Sequence, residues 1–329
     1  MKKILTLALA AAALLTACQK EGQVNNEANV TIEVGVPTTK AIGDGTTATK
    51  LYYEVYHVGD LNVEAPDETD NLKLVTEGTK DLINLTTTLD LTLVRGNKYL
   101  VLFWAQAEGA PYNVEDLRSV GMNYNVTNDL DPNGNREERD AFCNYCFVSV
   151  DYNSDNNTPQ TCELKRPFAQ INFVATDYGA NADIKSMLLT ESRITVKDVA
   201  TTLNVYKCTP APIAVSNSYV FSAKDVVNED FDSDNDAETW FSMNYVLLQP
   251  DVINIEVKAE FDVAVLYKSN ETIKHTVKFG KADDPAVYRT VSAAANYRTN
   301  IVGNLITETN EVDIVVRPGF VATNNVNAY

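Results

Sequence analysis

The amino-acid sequence predicts an all-β protein built from two β-sandwich domains in tandem. Short segments rich in valine, isoleucine and threonine alternate between apolar and polar residues, the pattern of strands with one buried face. The chain also contains 16 tyrosines and few long helix-forming runs. Its 329 residues are enough for two domains that each bury a core without metals or disulfides.

The charge and the histidine content exclude several functions. The chain has 27 Lys and Arg residues against 45 Asp and Glu residues, a formal net charge of −18 at pH 7. Such a surface repels phosphate backbones, so we expect no nucleic-acid partner. His57 and His275 are the two histidines, which excludes a three-histidine zinc site. We expect both to be packed or surface residues, and we predict no cofactor and no enzymatic activity.

Residues 1–17 have the features of a lipoprotein signal peptide. A basic start precedes an apolar run over residues 4–15, which is too short for a permanent membrane-spanning helix. The run leads into Leu15-Thr16-Ala17-Cys18, which resembles the lipobox of bacterial lipoproteins, where the cysteine is acylated. We therefore predict lipidation at Cys18, with an ordinary secretory signal and an accidental cysteine as the alternative.

The next residues predict a tether followed by the first strand. Residues 18–29 are mostly polar and lack periodicity, which is typical of a flexible tether. The N-terminal domain is predicted over residues 30–164. Its first strand alternates with period two and places four apolar side chains on one buried face: Val30, Ile32, Val34 and Val36.

A loop suited to proteolysis follows this strand. Pro37 ends the strand, and residues 38–49 are small, polar and turn-forming. Such a loop should be exposed and open to proteases. It contains the Lys40-Ala41 bond, so the first strand is connected to the remaining chain by a segment that can be cut.

Further strands complete the N-terminal domain. Leu51–Val58 has strand character, and residues 60–70 form an acidic loop. Leu89–Leu93 alternates cleanly, and a turn at Arg95–Lys98 leads into Tyr99–Trp104. The last run is apolar on both faces, as expected for a central sandwich strand, so Trp104 is interpreted as a core residue.

The C-terminal domain is predicted over residues 165–320, with a frayed tail at 321–329. Residues 182–189 allow one or two helical turns. The remaining predicted elements are short strands: Phe168–Ala175, Arg193–Val196, Thr202–Tyr206, Tyr219–Phe221, Met243–Leu248, Val252–Phe261, Ile273–Phe279, Asn300–Leu305 and Val312–Val316. Val312, Ile314 and Val316 share one face of the final strand, which Pro318 and Gly319 end.

One loop has the spacing of calcium ligands. Asp129, Asp131 and Asn133 precede Gly134, and Asp140 occupies loop position twelve, where a calcium loop has glutamate. No helical periodicity flanks this segment. A solvated polar turn is therefore the favoured interpretation, and calcium is a weak alternative. A second acidic run, residues 230–238, lacks the required glycine and is interpreted as a charged loop.

The cysteines leave several states open. Cys143 and Cys146 have the spacing of redox or zinc motifs, but Cys162 and Cys208 are too far apart to form the second pair that a structural zinc site needs. One disulfide that includes Cys143 or Cys146 is as plausible as buried free thiols.

Several runs resemble the fimbrillin-like lipoproteins of the Bacteroidales, the type V pilus family. They are Leu102-Phe103-Trp104-Ala105, Arg139-Asp140-Ala141-Phe142, Arg166-Pro167-Phe168-Ala169-Gln170-Ile171-Asn172-Phe173, Met243-Asn244-Tyr245, Tyr297-Arg298-Thr299-Asn300-Ile301-Val302-Gly303-Asn304-Leu305 and Arg317-Pro318-Gly319-Phe320. The last two are the most specific. The runs are scattered over most of the chain that remains after the signal peptide is removed.

This resemblance implies two transthyretin-like sandwiches in a structural subunit of surface fimbriae that supports adhesion. In such fimbrillins the precursor reaches the outer membrane as a lipoprotein, and an arginine-specific protease removes the tether with the first strand. A strand from a neighbouring subunit then fills the groove. The implied partners are other copies of the chain or related subunits, the outer membrane through the lipid, and a host or bacterial surface receptor.

The sequence departs from the family pattern at the loop after the first strand. The residue before Ala41 is Lys40, and no arginine lies between Cys18 and Arg95. Either a protease that accepts lysine cuts here, or the strand stays in place and the protein is an uncleaved anchor. A glycan-binding surface lipoprotein is a further alternative, with Trp240 as the candidate sugar-stacking residue.

Overall fold

The computed structural model describes residues 26–37, 45–124, 137–153, 159–177, 182–211, 218–221, 227–229, 238–249, 253–280, 287–304 and 312–318. Across these ranges the fold is all-β, as the sequence predicts. Two 3-10 turns, Glu137–Arg139 and Tyr206–Cys208, lie between strands. In the described part of the chain, no helix has the length and apolar character needed to cross a membrane.

The strands of the two halves follow one another along the chain. The N-terminal half contains β1 (Glu27–Gly35), β2 (Lys50–Asp60), β3 (Lys73–Asp81), β4 (Thr86–Val94), β5 (Asn97–Gln106), β6 (Val120–Gly121), β7 (Ala141–Val150) and β8 (Gln160–Glu163). The C-terminal half contains β9 (Phe168–Ala175), β10 (Ile184–Lys197), β11 (Thr202–Asn204), β12 (Thr209–Pro210), β13 (Ser218–Phe221), β14 (Val227–Glu229), β15 (Glu238–Leu247), β16 (Asn254–Tyr267), β17 (Thr272–Phe279), β18 (Arg289–Ser292), β19 (Tyr297–Gly303) and β20 (Val312–Pro318).

The N-terminal sandwich packs a three-stranded sheet on a four-stranded sheet. The strand orders are β4-β1-β8 and β3-β2-β5-β7. Alternate residues of β1 and β4, such as Ile32 and Leu91, meet inward residues of the second sheet, such as Phe103 and Val148, in one buried cluster. This is the N-terminal core, and β1 contributes to its centre.

The C-terminal sandwich pairs two larger sheets. One has the order β13-β10-β16-β17, with β18 also paired to β16, and the other has the order β14-β15-β9-β19-β20. Phe173 and Phe261 contact each other edge to face, with ring centroids 5.2 Å apart. This C-terminal core continues across the outer face of β5, where Leu102 and Trp104 are fully buried. The two halves therefore share a continuous apolar contact.

The structure differs from the sequence prediction at several elements. β1 begins at Glu27 rather than at residue 30, because Ala28 extends the buried face and the register continues to Glu27 opposite Val94. The helical turns allowed at residues 182–189 are wrong. Most of that segment belongs to β10, because pairing with β16, for example Met187 opposite Val265, overrides its weak local preference. The sequence predicts no strand at β3, β6, β7, β8, β12, β14 or β18.

Candidate functional site

β1 occupies the middle of its sheet, with a neighbouring strand on each side. It pairs antiparallel with β4 from Glu27 opposite Val94 to Gly35 opposite Thr86. On the other side its second half pairs parallel with β8, from Ile32 opposite Gln160 to Gly35 opposite Glu163. Removing β1 would therefore open a groove between two strand edges, each with unpaired backbone donors and acceptors.

The inward side chains of β1 fill this groove. Val30, Ile32 and Val34 are 2%, 0% and 1% exposed, and Val36 just beyond the strand is also buried. These are the four residues that the sequence places on one face. Burying each aliphatic side chain contributes about 1.5–3 kcal/mol before ordering costs, so an emptied groove has a strong tendency to refill.

The outer face of β1 makes a different kind of contact. Thr31 donates a hydrogen bond to Asp90 at 2.8 Å, and Thr92 donates one to Asn29 at 3.1 Å. Both bonds are exposed to water, so each contributes little to stability. The strand is therefore held by its backbone ladders and its apolar face rather than by specific polar side chains.

The two residues that flank segment 38–44 lie close together. Gly45 has φ +83°, and a Cβ on it would lie 3.1 Å from the Pro37 carbonyl oxygen and 3.2 Å from Val36 Cγ1. The residues at both flanks of segment 38–44 thus touch each other. Lys40 and Ala41 lie in that segment, outside the described residues, so their placement stays a prediction.

β20 is held differently from β1. It pairs antiparallel with β19, from Tyr297 opposite Pro318 to Gly303 opposite Val312. Among the described strands it forms one end of its sheet, with β19 as its one partner there. Val312, Ile314 and Val316 occupy alternate positions of this edge strand, as an alternating sequence requires.

A buried ion pair lies where the two halves meet. Both carboxylate oxygens of Asp140 accept hydrogen bonds from Arg166, at 2.5 Å from Nε and 2.6 Å from Nη2. The side chains are 0% and 2% exposed, and the Arg166 guanidinium also stacks over the Phe142 ring. Burial raises the pKa of Asp140 to about 6, and the contact with Arg166 acts in the opposite direction.

Asp140 is thus bound to a guanidinium in this structure. The remaining weak calcium candidates, Asp129, Asp131 and Asn133, lie outside the described residues. Within the described ranges, no group of three or more His, Cys, Asp or Glu side chains is arranged to hold a metal ion.

Four of the family-like sequence runs contribute residues to this ion pair or its surroundings. The charges of Arg298, from the run at 297–305, and of Glu137 act on Asp140. Tyr245, from the run at 243–245, is buried near the same charges. The neighbouring Arg139 donates to the Met122 carbonyl oxygen at 2.9 Å and stacks over Tyr124. Residues far apart in the sequence therefore build one polar junction between the halves.

The strand conformation of β7 separates the two cysteines of the CxxC motif. Residues three apart on a strand point to opposite faces. Cys143 forms a disulfide with Cys208, which links β7 to the 3-10 turn at Tyr206–Cys208. Cys146 faces the N-terminal core, close to Cys162. The motif is therefore neither a redox pair nor half of a zinc site.

The structure places the remaining sequence candidates on strands. His57 forms a hydrogen bond with Asn97 at 2.9 Å and lies against the Tyr99 ring. His275 lies in β17 opposite Val263, and Trp240 lies in β15 opposite Val174.

Comparison with protein families identifies the chain. A family described as a family of unknown function (DUF6562) matches residues 19–327. The chain belongs to this family. No curated protein matches the sequence.

Several solved structures resemble this DUF6562 protein remotely. A protein from Bacteroides ovatus described as an adhesin gives a TM-score of 0.47 at 11% identity, over 89% of this chain and 94% of that one. A second protein described as an adhesin, from Bacteroides thetaiotaomicron, gives a TM-score of 0.45 at 10% identity, over 88% of this chain and 96% of that one. A fimbrial assembly protein from Parabacteroides distasonis gives a TM-score of 0.36 at 11% identity, over 89% of this chain and 96% of that one. These scores are too low to assign a role to any residue.

The polar junction of this DUF6562 protein is the feature that the sequence prediction missed. In the sequence, Asp140 matches a calcium-ligand position, and Arg166 belongs to a family-like run. Their separation of 26 positions gives no periodic signal. The neighbouring residues do give a signal that could have indicated the ion pair. Each charge is followed directly by apolar residues, Ala141-Phe142 and Pro167-Phe168, and a charge buried among apolar residues needs a partner of opposite charge.

Proposed function

We propose that this protein is a subunit of a cell-surface fibre that assembles by strand replacement and supports adhesion. The observation that carries the proposal is the position of β1, a strand in the middle of its sheet followed at once by a loop with touching flanks. Cutting that loop would release β1 without cutting any other strand. The chain would reach the outer membrane as a lipoprotein acylated at Cys18.

The vacated groove would then bind a strand from another copy of the chain or from a related subunit. Backbone hydrogen bonds from β4 and β8 would hold the incoming strand, and alternate apolar side chains would replace those of β1. β20 is the proposed donor, since it lies at a sheet edge and alternates at Val312, Ile314 and Val316. A head-to-tail contact of this kind does not close on itself and therefore produces a filament.

The test is controlled cleavage of the loop. The full chain is treated with a lysine-specific endoprotease, the new amino terminus is sequenced, and assembly is followed by size-exclusion chromatography and electron microscopy. We expect cleavage between Lys40 and Ala41, loss of residues 18–40 and growth of fibres. The matched control Lys40→Gln should remain uncut at this bond and monomeric.

A competition experiment separates strand replacement from general aggregation. A peptide with the sequence of residues 27–37 should block fibre growth when added in excess, because it refills the groove. The same peptide with serine in place of Ile32 should block it poorly. Cleaved chains that retain β1 and stay monomeric would contradict the proposal, and intact acylated chains on sheared cell-surface material would favour an uncleaved anchor.

A further inference from the structure

Cys146 and Cys162 lie on neighbouring strands that approach each other as an antiparallel pair. Cys143 of β7 and Lys165 exchange two backbone hydrogen bonds, at 2.8 and 2.9 Å. Cys146 lies three residues after Cys143, and Cys162 lies three residues before Lys165, so both cysteines are close to this bridge. The Asn144 side chain also donates to the Glu163 carbonyl oxygen at 2.7 Å, which fixes the approach of β8 to β7.

The positions of the two cysteines suit a disulfide between the two sheets. β7 belongs to one sheet of the N-terminal sandwich and β8 to the other, and both cysteines pack in the core between them. The bridge between Cys143 and Lys165 brings the two chain segments together next to these cysteines. Disulfides join cysteines whose Cα atoms lie about 4.4–6.8 Å apart, so they form where chain segments approach each other closely.

The side chains are already in contact. The two thiols share a hydrogen bond, and both side chains belong to the N-terminal core. Cys162 is buried, whereas Cys146 is partly exposed and can meet an oxidant. Cys143, which forms a disulfide with Cys208, lies in β7 like Cys146. An oxidising environment that maintains the first disulfide would therefore also act on Cys146 and Cys162.

We propose that Cys146 and Cys162 form a second disulfide that attaches β8 to β7. The oxidant is a disulfide carried by a thiol-oxidase protein or by a small thiol compound. The Cys146 sulfur attacks it, forms a mixed disulfide and releases one thiol. The Cys162 sulfur then attacks Cys146 Sγ and displaces the second thiol. The chain loses two S–H bonds and gains one S–S bond, and both protons and both electrons pass to the oxidant.

The role of this bond rests on the proposed function. β8 has four residues, and all of them pair with β1. When β1 leaves, β8 loses that ladder and keeps the hydrogen bonds to β7 at Glu163 and Lys165, which lie at its C-terminal end. A covalent bond from Cys162 to β7 would keep this edge of the groove in place for an incoming strand.

The test reads the thiol state of the uncut monomer. The full chain is isolated from an oxidising compartment, denatured with an alkylating agent but without reductant, and digested with trypsin. Residues 140–165 form one tryptic segment, since no Lys or Arg lies between Arg139 and Lys165. Further cleavage after Asp151 separates Cys146 from Cys162 unless a disulfide joins them. We expect linked fragments without alkylation, and alkylation at both cysteines roughly tenfold higher after reduction.

The variant Cys146→Ser serves as the matched control. It should leave Cys162 open to alkylation and increase hydrogen exchange at residues 160–163, while the Cys143–Cys208 link stays protected. Alkylation of both cysteines in the wild-type chain, even after incubation with glutathione disulfide, would overturn the proposal. So would a map that joins Cys146 to Cys143. Neither result depends on fibre growth, so failure of strand replacement remains a separate outcome.

Discussion

The β1 groove and the Asp140–Arg166 junction are both buried, but different interactions stabilise them. In the groove, Val30, Ile32 and Val34 meet other apolar side chains, and the polar contacts of β1 are on the surface. In the junction, a guanidinium and a carboxylate meet in a fixed bidentate geometry. Apolar packing accepts any side chains of similar volume and pattern, whereas a bidentate ion pair accepts one partner in one geometry.

This difference bears on how a subunit could exchange one strand and keep its shape. A groove filled by alternating aliphatic side chains can be refilled by another alternating strand. A junction held by Arg166, Asp140 and the nearby Arg298 ties the two halves together independently of β1. The groove, which can be refilled, would therefore depend on apolar packing, whereas the junction, which stays in place, would depend on an ion pair.

The largest expected effect is at the junction. Arg166→Met should lower the free energy of unfolding by about 3–5 kcal/mol, because it leaves the buried Asp140 carboxylate without its guanidinium. The measurement is urea denaturation of the full chain. The matched control is Arg118→Met, since the Arg118–Asp116 pair is also bidentate, at 2.9 and 3.0 Å, but has side chains 27% and 43% exposed. Arg118→Met should lower the free energy of unfolding by about 0–1 kcal/mol.

A second charge substitution shows whether the unpaired carboxylate causes the loss. The double variant Asp140→Asn/Arg166→Met should be less destabilised than the sum of the two single variants, because the first change removes the buried charge. Equal losses for Arg166→Met and Arg118→Met would show that the junction is no stronger than a surface pair, and the comparison with the groove would fail.

The next effect is in the groove. Ile32→Ala should lower the free energy of unfolding of the uncut chain by about 2–5 kcal/mol, through lost burial and the cavity that remains. Glu33→Ala, one position along on the exposed face, should change it by about 0.5 kcal/mol or less. Thermal denaturation of both variants is the measurement. Similar losses at the two positions would mean that the apolar face does not hold β1.

The contrast between groove and junction also explains what the sequence could predict. The groove-forming residues of β1 were predictable because period-two alternation is a local signal. The all-β class was predictable for the same reason. The junction was not, because the contacts of Asp140 and Arg166 depend on how two sandwiches meet. The pairing of Cys143 with Cys208 likewise spans 65 positions and gives no local pattern.

Two of the strands that sequence reasoning missed, β3 and β8, lack a readable alternation for physical reasons. β3 lies at a sheet edge and is largely exposed on both faces, including Leu74 and Val75, so it has no buried stripe. β8 is too short to show a period. The helical turns predicted near Met187 were wrong because the long partner strand β16 continues the sheet there and supplies hydrogen bonds that local preference does not reveal.

The smallest expected effect concerns the loop closure next to β1, and two glycines allow a matched test. Gly45 and Gly109 both have a positive φ, +83° and +76°, so alanine at either position costs about 1–2 kcal/mol of backbone strain. A Cβ at Gly109 would meet nothing within 4 Å, whereas one at Gly45 would press on Phe142, Val36 and a backbone oxygen. Gly45→Ala should therefore destabilise the chain more than Gly109→Ala in urea denaturation.

The same pair of variants connects loop closure to strand release. Because Gly45 packs on Val36 at the end of β1, Gly45→Ala should also accelerate cleavage of segment 38–44 by a lysine-specific endoprotease, and Gly109→Ala should not. Cleavage is followed by amino-terminal sequencing and mass spectrometry over time. Equal cleavage rates would show that the contact between the loop flanks does not control access of the protease to the segment.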